Sequence, residues 1–334
     1  MTIELEDLYR ARERIAPYVR PTPLRRSKAL GDLLHRPVWL KMETMHDTGA
    51  FKIRGAANKL LSLSQAERRC GVIAVSSGNH GKAVACMAER LGMRAVVCLT
   101  RLVPPEKVEG LRAYGADVVI HGDNQDEADA EARKLARRDG LIFVSPFDDA
   151  LVIAGQGTIG LELAEQCEPL ETLLVQLSGG GLMGGIALAM KALRPEVRLI
   201  AVSSLHGAAM YESVRAGHIV QVDEKPSIAD ALPGPIPPDN AYTFDICRRL
   251  VDDFVQVSDQ AIEDAMAFVL RHEKCVVEGG AAAGVAHLLT CTDSVPGKTL
   301  AAILTGNSIA IDRALDVYRQ VARRQGAAGA PEFS

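Results

Sequence analysis

The sequence lacks the features that mark several common classes of protein. Only 4% of its 334 residues are aromatic, and the formal net charge is −4 without any basic stripe. Nucleic acid is therefore not an expected partner, because phosphate contacts need clustered Lys and Arg. No apolar run approaches the roughly 20 residues that span a bilayer, and the acidic residues 1–7 lack the apolar segment of a secretion signal. We expect a cytoplasmic protein without a membrane partner.

The cysteines form no pattern either. Seven are scattered through the chain, and no two of them stand in a Cys-x-x-Cys pair. Such an odd, unpatterned set is typical of reduced thiols in a core and argues against a disulfide framework or a zinc site.

The sequence does contain a regular alternation of strands and helices. Continuous apolar runs, for example residues 71–75 and 95–99, alternate with segments of helical spacing. Strands that are apolar throughout indicate parallel sheets covered by helices on both faces. The chain is too long for one small core. We expect a small α/β lobe, residues 71–148, inserted into a large lobe formed by residues 1–70 and 149–334.

A lysine stands between one predicted strand and the helix after it. Residues 48–55 read Thr-Gly-Ala-Phe-Lys-Ile-Arg-Gly, with Lys52 between Phe51 and Ile53. Desolvation by such neighbours lowers the pKa of a lysine and frees its amine as a nucleophile or a Schiff-base partner. The alternative is an ordinary lysine that extends to solvent along apolar neighbours.

A run of three glycines follows another buried strand. Ser178, Gly179, Gly180, Gly181 and Leu182 lead into a helix, where unobstructed N–H groups and the helix dipole favour an anion. The run matches neither the Walker A motif nor the spaced dinucleotide fingerprint. It predicts a phosphate cup, and a purely structural tight turn is the alternative.

A second polar loop lies in the predicted small lobe. Residues 76–81 read Ser-Ser-Gly-Asn-His-Gly, again between a strand and a helix. Its hydroxyls, amide and N–H groups suit a carboxylate ligand. The same residues could equally form a capped helix start, with Ser as the N-cap.

In this order and spacing, the three motifs resemble the pyridoxal-phosphate (PLP) enzymes of fold type II, and among them the serine/threonine dehydratases. The resemblance covers residues 5–320. It implies a two-lobed α/β fold like that of the tryptophan synthase β subunit and PLP as cofactor. It also implies a catabolic lyase that eliminates the β-hydroxyl of a hydroxylated amino acid and releases ammonia. Residues 101–105, Met210, Tyr211 and 239–244 look most like dehydratases of hydroxyectoine utilisation.

The resemblance also implies residue roles. Lys52 would form a Schiff base with PLP and take the α-proton of the substrate, and Ser77 would be a second acid/base. The cofactor-binding residues would be Phe51, Lys52, Asn79, Gly179, Gly180, Gly181, Leu182, Glu278 and Thr305. The substrate-binding residues would be Ser77, Gly78, Asn79, His80 and Gln156.

Three further points follow from the resemblance. Thr305 would face the pyridine nitrogen, and a neutral hydroxyl cannot keep that nitrogen protonated as a carboxylate would. Ala50 replaces the usual Ser beside Lys52. Relatives that bind a cation do so through carboxylates in the stretch equivalent to residues 203–209. This stretch has none here, so no metal is expected.

The sequence leaves the reaction type, the substrate pocket and the oligomeric state open. An amino-acid racemase with Lys52 and Ser77 on opposite faces of the substrate is the alternative function. Residues 203–211 and 232–244 are expected to line the side-chain pocket, and residues 222–243 form a long loop that is a candidate lid. By analogy with the fold, the protein is expected to be a homodimer.

Overall fold

Two sheets organise the computed structural model, which describes residues 2–223 and 225–327. The strands of the described part are β1 (Leu24–Arg26), β2 (Val38–Lys41), β3 (Val72–Val75), β4 (Ala95–Leu99), β5 (Asp117–Ile120), β6 (Ile142–Phe143), β7 (Thr172–Gln176), β8 (Arg198–Ser204), β9 (Asp253–Val257) and β10 (Leu300–Ile303). The larger sheet has the order β1-β2-β10-β7-β8-β9, and the smaller one has the order β5-β4-β3-β6. All pairs are parallel except β1 with β2.

Helices cover both sheets. They are α1 (Leu5–Ile15), α2 (Lys28–Leu34), α3 (Lys52–Leu61), α4 (Gln65–Cys70), α5 (Asn79–Arg90), α6 (Pro105–Arg112), α7 (Gln125–Asp139), α8 (Ala150–Gln166), α9 (Gly181–Leu193), α10 (Ala209–Ala216), α11 (Thr243–Leu250), α12 (Asp259–Phe268), α13 (Gly279–Thr290) and α14 (Ile311–Ala327). Glu43–Met45 forms a 3₁₀ turn, and Val269–Glu273 extends α12 as a π-helical turn. Of the helices described, none is both long and apolar enough to cross a membrane.

Alternate strand residues pack against different helices. In the smaller sheet, Ala74 and Val97 belong to the core cluster that contains Met87 of α5, whereas Ile73 and Val96 pack with Leu135 of α7. The larger sheet is likewise covered on one side by α9 and on the other by α12 and α13. Burial on both faces is why central strands such as β3 and β4 are apolar at every position. The predicted α/β fold with parallel-rich sheets is therefore present.

The functional motifs all follow the carboxyl ends of strands. Residues 76–78 follow β3, residues 177–180 follow β7, and residues 304–308 follow β10. β10 lies between β2 and β7, so the loops after these strands are neighbours. In open α/β sheets this edge is where ligands bind.

Several element boundaries differ from the sequence predictions. α3 begins at Lys52 itself, whereas the sequence had placed the lysine between the strand and the helix. Glu43 lies in the 3₁₀ turn that follows β2. α4 has no buried residue, so it lacks the apolar stripe by which such a helix is recognised.

Candidate active site

Lys52 is the first residue of α3, and its amine lies in a buried, polar environment. Its Nζ donates a hydrogen bond to the carbonyl of Pro146 at 2.6 Å and lies 5.2 Å from the centroid of the Phe51 ring. Burial lowers the pKa of Lys52 from 10.5 to about 8, although the nearby charge of Glu278 acts in the opposite direction. A useful fraction of the amine is consequently unprotonated near neutral pH, as a nucleophile requires.

The glycine run forms the start of α9. Gly180 has φ +88°, a conformation that favours glycine. The first hydrogen bond of the helix joins the N–H of Gly184 to the carbonyl of Gly180 at 2.7 Å. The N–H groups of Gly181 and Leu182 thus precede the helical ladder and are available to an anion.

Phe147 packs directly against this loop. A Cβ placed on Gly179 would lie 2.4 Å from the Phe147 ring, and one on Gly181 would lie 2.8 Å from the backbone of Phe147. Close approach of another segment, together with the positive φ of Gly180, explains why the run is three glycines long.

Asn79 and Glu278 meet across the gap between the two sheets. Asn79 Nδ2 donates to Glu278 Oε1 at 2.6 Å, and the N–H of Ser308 donates to Oε2 at 3.1 Å. Burial raises the pKa of Glu278 to about 7. The charge of Asp230 adds to this rise, and the hydrogen bonds from Asn79 and Ser308 oppose it. Asn79 Oδ1 is buried and has no partner among the described residues.

Thr305 lies beside the lysine segment. Its carbonyl accepts a hydrogen bond from the N–H of Phe51 at 3.0 Å, and Ala50 pairs with Gly306 in an antiparallel bridge. The Thr305 side chain is buried. The loop after β10 therefore contacts both the segment that carries Lys52 and the Asn79–Glu278 pair.

The predicted substrate-binding residues lie at the start of α5 and on α8. His80 Nε2 donates to the carbonyl of Val144 at 2.9 Å, and burial together with Lys52 lowers the His80 pKa to about 3, so the ring is neutral. Ser77 and Gly78 are half-buried in the loop before α5. Gln156 of α8 is buried against Gly55, one turn after Lys52, and its Oε1 has no partner in the described part of the chain.

A buried ionic network, which sequence reasoning missed, lies beneath α3. Arg54, only 1% exposed, donates to Glu43 Oε2 at 2.8 Å and to Glu162 Oε1 at 2.5 Å. Lys41 pairs with the same Glu162, and Thr22 bonds to Glu43. The Arg54 guanidinium holds the pKa of Glu43 far below its usual range. The only sign of this network in the sequence was a charged residue within an apolar run, such as Glu162 in α8.

No cluster of metal-binding side chains is found in residues 2–223 and 225–327. No three His, Cys, Asp or Glu side chains in these ranges are arranged to hold an ion. All seven cysteines are free thiols.

Comparison with known proteins gives a consistent match. A family described as "Pyridoxal-phosphate dependent enzyme" matches residues 15–306. A protein of Sinorhizobium fredii that carries the provisional name threonine dehydratase is 44% identical over 96% of this chain and 97% of its own length. The L-threonine ammonia-lyase of Thermotoga maritima is 39% identical over 93% of this chain and 77% of its own length.

Solved structures of similar fold include maize serine racemase. It superimposes with a TM-score of 0.89 at 31% identity, covering 98% of this chain and all of that one (100%). The predicted fold class, a two-sheet α/β enzyme of the PLP fold type II, is confirmed by these matches.

Proposed function

The chain belongs to the pyridoxal-phosphate dependent enzymes, and we propose that it is a dehydratase. It eliminates the β-hydroxyl of a hydroxylated amino acid and releases ammonia and a 2-oxo acid. The observation that carries this function is the half-buried Lys52, whose amine is desolvated so that its pKa is lowered to about 8, at the same sheet edge as the open start of α9. Its relatives named as threonine dehydratase and threonine ammonia-lyase support the same reaction.

The residues present fit PLP. Lys52 offers a free amine, and Gly181 and Leu182 offer N–H groups to a phosphate. The buried Asn79 Oδ1 lacks a partner among the described residues, as expected of a side chain arranged around a ligand. Thr305 and Phe51 stand beside Lys52 and suit the ring.

The protein's own residues carry the remaining steps. When bound, PLP supplies an electron sink for the bond that breaks at the substrate Cα. Lys52 would hold the cofactor and take the Cα proton at its Nζ, and the β-hydroxyl would be protonated and leave as water. Residues 179–182 bind the phosphate, and Asn79 orients the ring.

The substrate carboxylate and the ring nitrogen have partners too. Ser77 and Gly78 hold the carboxylate, and His80 contributes its backbone N–H, because the single N–H of its neutral ring is donated to Val144. Gln156 of α8 completes the predicted substrate-binding set. Thr305, a neutral hydroxyl, leaves the ring nitrogen unprotonated, which favours prompt loss of the β-hydroxyl over transamination. Glu278, whose pKa is about 7, exchanges a proton with its surroundings near neutral pH.

The test is release of oxo acid and ammonia by the purified holoenzyme. L-threonine, L-serine, threo-3-hydroxyaspartate, hydroxyectoine and its ring-opened derivatives are compared at equal concentration. Fast turnover of at least one is expected. Silence on all of them, with the cofactor absorption intact, would contradict the dehydratase assignment.

A narrower substrate is part of the proposal. Residues 101–105, Met210, Tyr211 and 239–244 favour a compound derived from hydroxyectoine. In the same assay this requires turnover of hydroxyectoine derivatives without comparable turnover of threonine or serine. Efficient threonine turnover would instead identify a general dehydratase.

An amino-acid racemase is the second candidate. It is favoured by the similarity to maize serine racemase, at a TM-score of 0.89, and by Ser77, which lies half-buried in the loop before α5. Racemisation would be recognised by a D-enantiomer that accumulates faster than the oxo acid.

The organisation of the chain completes the proposal. Residues 71–148 form a small lobe, and residues 1–70 with 149–334 form a large one; the two separate sheets support this division. The core cluster of the smaller sheet also includes Ile53 and Leu60 of α3, so this helix packs against the small lobe. We also propose a cytoplasmic homodimer without nucleic-acid or membrane partners. Light scattering on the purified protein tests the dimer.

A further inference from the structure

We propose that Asp148 is a positioning residue that sets substrate selectivity, an inference that rests on the proposed function. It fixes the segment Ala241–Tyr242–Thr243 against the phosphate-binding loop. No motif in the sequence singled it out, and its contacts reach 93 to 95 residues along the chain.

Three consecutive residues, 146–148, contact Lys52, the phosphate loop or the helix packed on it, and the next one, Asp149, caps a different helix. The carbonyl of Pro146 holds the amine of Lys52, and Phe147 packs on Gly179 and Gly181. Asp148 and Asp149 then each bind the N-terminus of a helix, α11 and α8 respectively. The spatial relation of Lys52, the phosphate loop and α11 is thereby set by one short piece of backbone.

The carboxylate of Asp148 closes the start of α11. Its Oδ2 accepts the N–H of Ala241 at 2.6 Å, and its Oδ1 accepts the N–H groups of Tyr242 and Thr243, both at 3.0 Å. Three N–H groups on one carboxylate make a strong, charge-assisted anchor. They are also donors that α11 cannot satisfy within its own helix.

The anchored segment is in contact with the phosphate loop. A Cβ at Gly180 would lie 2.9 Å from Cβ of Thr243 and 3.2 Å from Sγ of Cys247, so α11 packs directly on this glycine. Asn240 reinforces the turn by donating to Thr243 Oγ1 at 2.7 Å. The segment ends the long connection between α10 and α11, which was predicted to line the side-chain pocket. Asp148 therefore fixes the distance between that pocket wall and Lys52.

The matched pair Asp148 and Asp149 provides the test. Asp149 also caps a helix, with its Oδ1 accepting the N–H groups of Leu151 and Val152 at 2.8 and 3.1 Å, and its Oδ2 pairs with Lys59. These side-chain bonds go to α8 and α3 and do not include α11 or the phosphate loop. In the holoenzyme, we expect Asp148→Ala to raise KM for the turned-over amino acid about tenfold, because the pocket wall must be ordered on binding. The threonine-to-serine preference should change, kcat should stay within about threefold, and the cofactor absorption should persist.

Asp149→Ala should lower the melting temperature and leave KM and the threonine-to-serine preference within about twofold of the wild-type values. Asp148→Asn, which keeps one acceptor oxygen but loses the charge, should raise KM by an intermediate factor of about three. Unchanged KM and preference in Asp148→Ala would overturn the inference. If Asp148→Ala does not fold, unchanged values in Asp148→Asn would overturn it equally.

The inference can fail independently of the proposed function. If the wild-type holoenzyme turns over none of the test substrates, the function fails, and the positioning role is then measured by limited proteolysis between residues 225 and 243. Faster cleavage in Asp148→Ala than in Asp149→Ala supports the anchor. Equal cleavage in the two variants contradicts it.

Discussion

Lys52 and Arg54 lie two residues apart in the first turn of α3 and have opposite surroundings. Arg54 is fully buried and all its neighbouring charges are paired: Glu43 and Glu162 receive its hydrogen bonds. Near Lys52, in contrast, Asn79 Oδ1 is buried and stays without a partner within the described residues, although Asn79 Nδ2 bonds to Glu278, the carboxylate that acts on Lys52. The satisfied side holds the helix in place, and the unsatisfied side is arranged for a ligand.

The difference follows from helix geometry and burial. Positions two apart are separated by about 200° around a helix, so one turn can serve both a core and an open site. On the core side, the cations of Lys41 and Arg54 are paired with the carboxylates of Glu43 and Glu162. This pairing offsets the desolvation cost of the four charges. The open side leaves desolvation of Lys52 mostly uncompensated, and its pKa falls to about 8 as a result.

The largest expected effect comes from removing the amine. Lys52→Ala should lower turnover by at least about 10⁴-fold, more than 5 kcal/mol of activation free energy, and should abolish the visible absorption of bound PLP. Lys59→Ala is the control, since Lys59 belongs to the same helix but pairs with Asp149. Retained colour and turnover in Lys52→Ala would contradict the assignment of the active site.

Breaking the other side of the turn should act on stability. Arg54→Met removes the guanidinium that the buried Glu43 and Glu162 share. We expect a loss of about 3–5 kcal/mol in the free energy of unfolding, measured by urea denaturation. Lys28→Met removes an exposed pair with Asp32 and should cost less than about 1 kcal/mol. Similar losses in both variants would mean that the buried network contributes no more than a surface pair.

Glu278 should make the stability of the cofactor-free protein depend on pH. Its pKa is raised from 4.5 to about 7 in the fold, so its contribution is present below the unfolded value and is lost as pH rises through about 7. Relative to wild type, the free energy of unfolding of the Glu278→Gln variant should rise by about 2–3 kcal/mol between about pH 5 and about pH 8. For Glu13→Gln, on an exposed part of α1, the difference from wild type in the free energy of unfolding should not change with pH. If the difference for Glu278→Gln does not change with pH either, the prediction is refuted.

The smallest expected effect sharpens the description of Lys52. The rate at which the cofactor-free protein captures PLP should rise with pH and reach half its plateau near 8, the lowered pKa of Lys52, and not near 10.5. Because the charge of Glu278 raises this pKa, the midpoint should move lower in Glu278→Gln. Stopped-flow absorbance measures both. A midpoint that does not move would show that the two side chains are uncoupled.

Prediction from sequence worked where a motif and its chemistry are local. Residues 179–182 were expected to open a helix and do so at the start of α9. Lys52 was expected to be partly desolvated, and burial does lower its pKa. The roles of Ser77, His80, Glu278 and Thr305 stay predictions, although Thr305 contacts the lysine segment and Glu278 lies close enough to raise the pKa of Lys52.

The network beneath α3 and the Asp148 anchor could not be predicted in this way. Arg54 meets Glu162 across 108 residues, and Asp148 meets Thr243 across 95. Neither pair has a periodic pattern, and a single charged residue in an apolar run does not identify its partner. Which carboxylate reaches which cation depends on how distant elements pack, here on α8 lying against α3.

The sequence by itself determined the α/β class with parallel sheets, because apolar periodicity acts over a few neighbouring positions. Its three motifs, through their resemblance to PLP enzymes, singled out Lys52 and residues 179–182 as candidates for the site. Only the tertiary structure decided which charges are paired and which are left for a ligand, and which segment holds the pocket wall. These depend on long-range packing, where a hydrogen bond a few ångströms long joins residues that the chain keeps far apart.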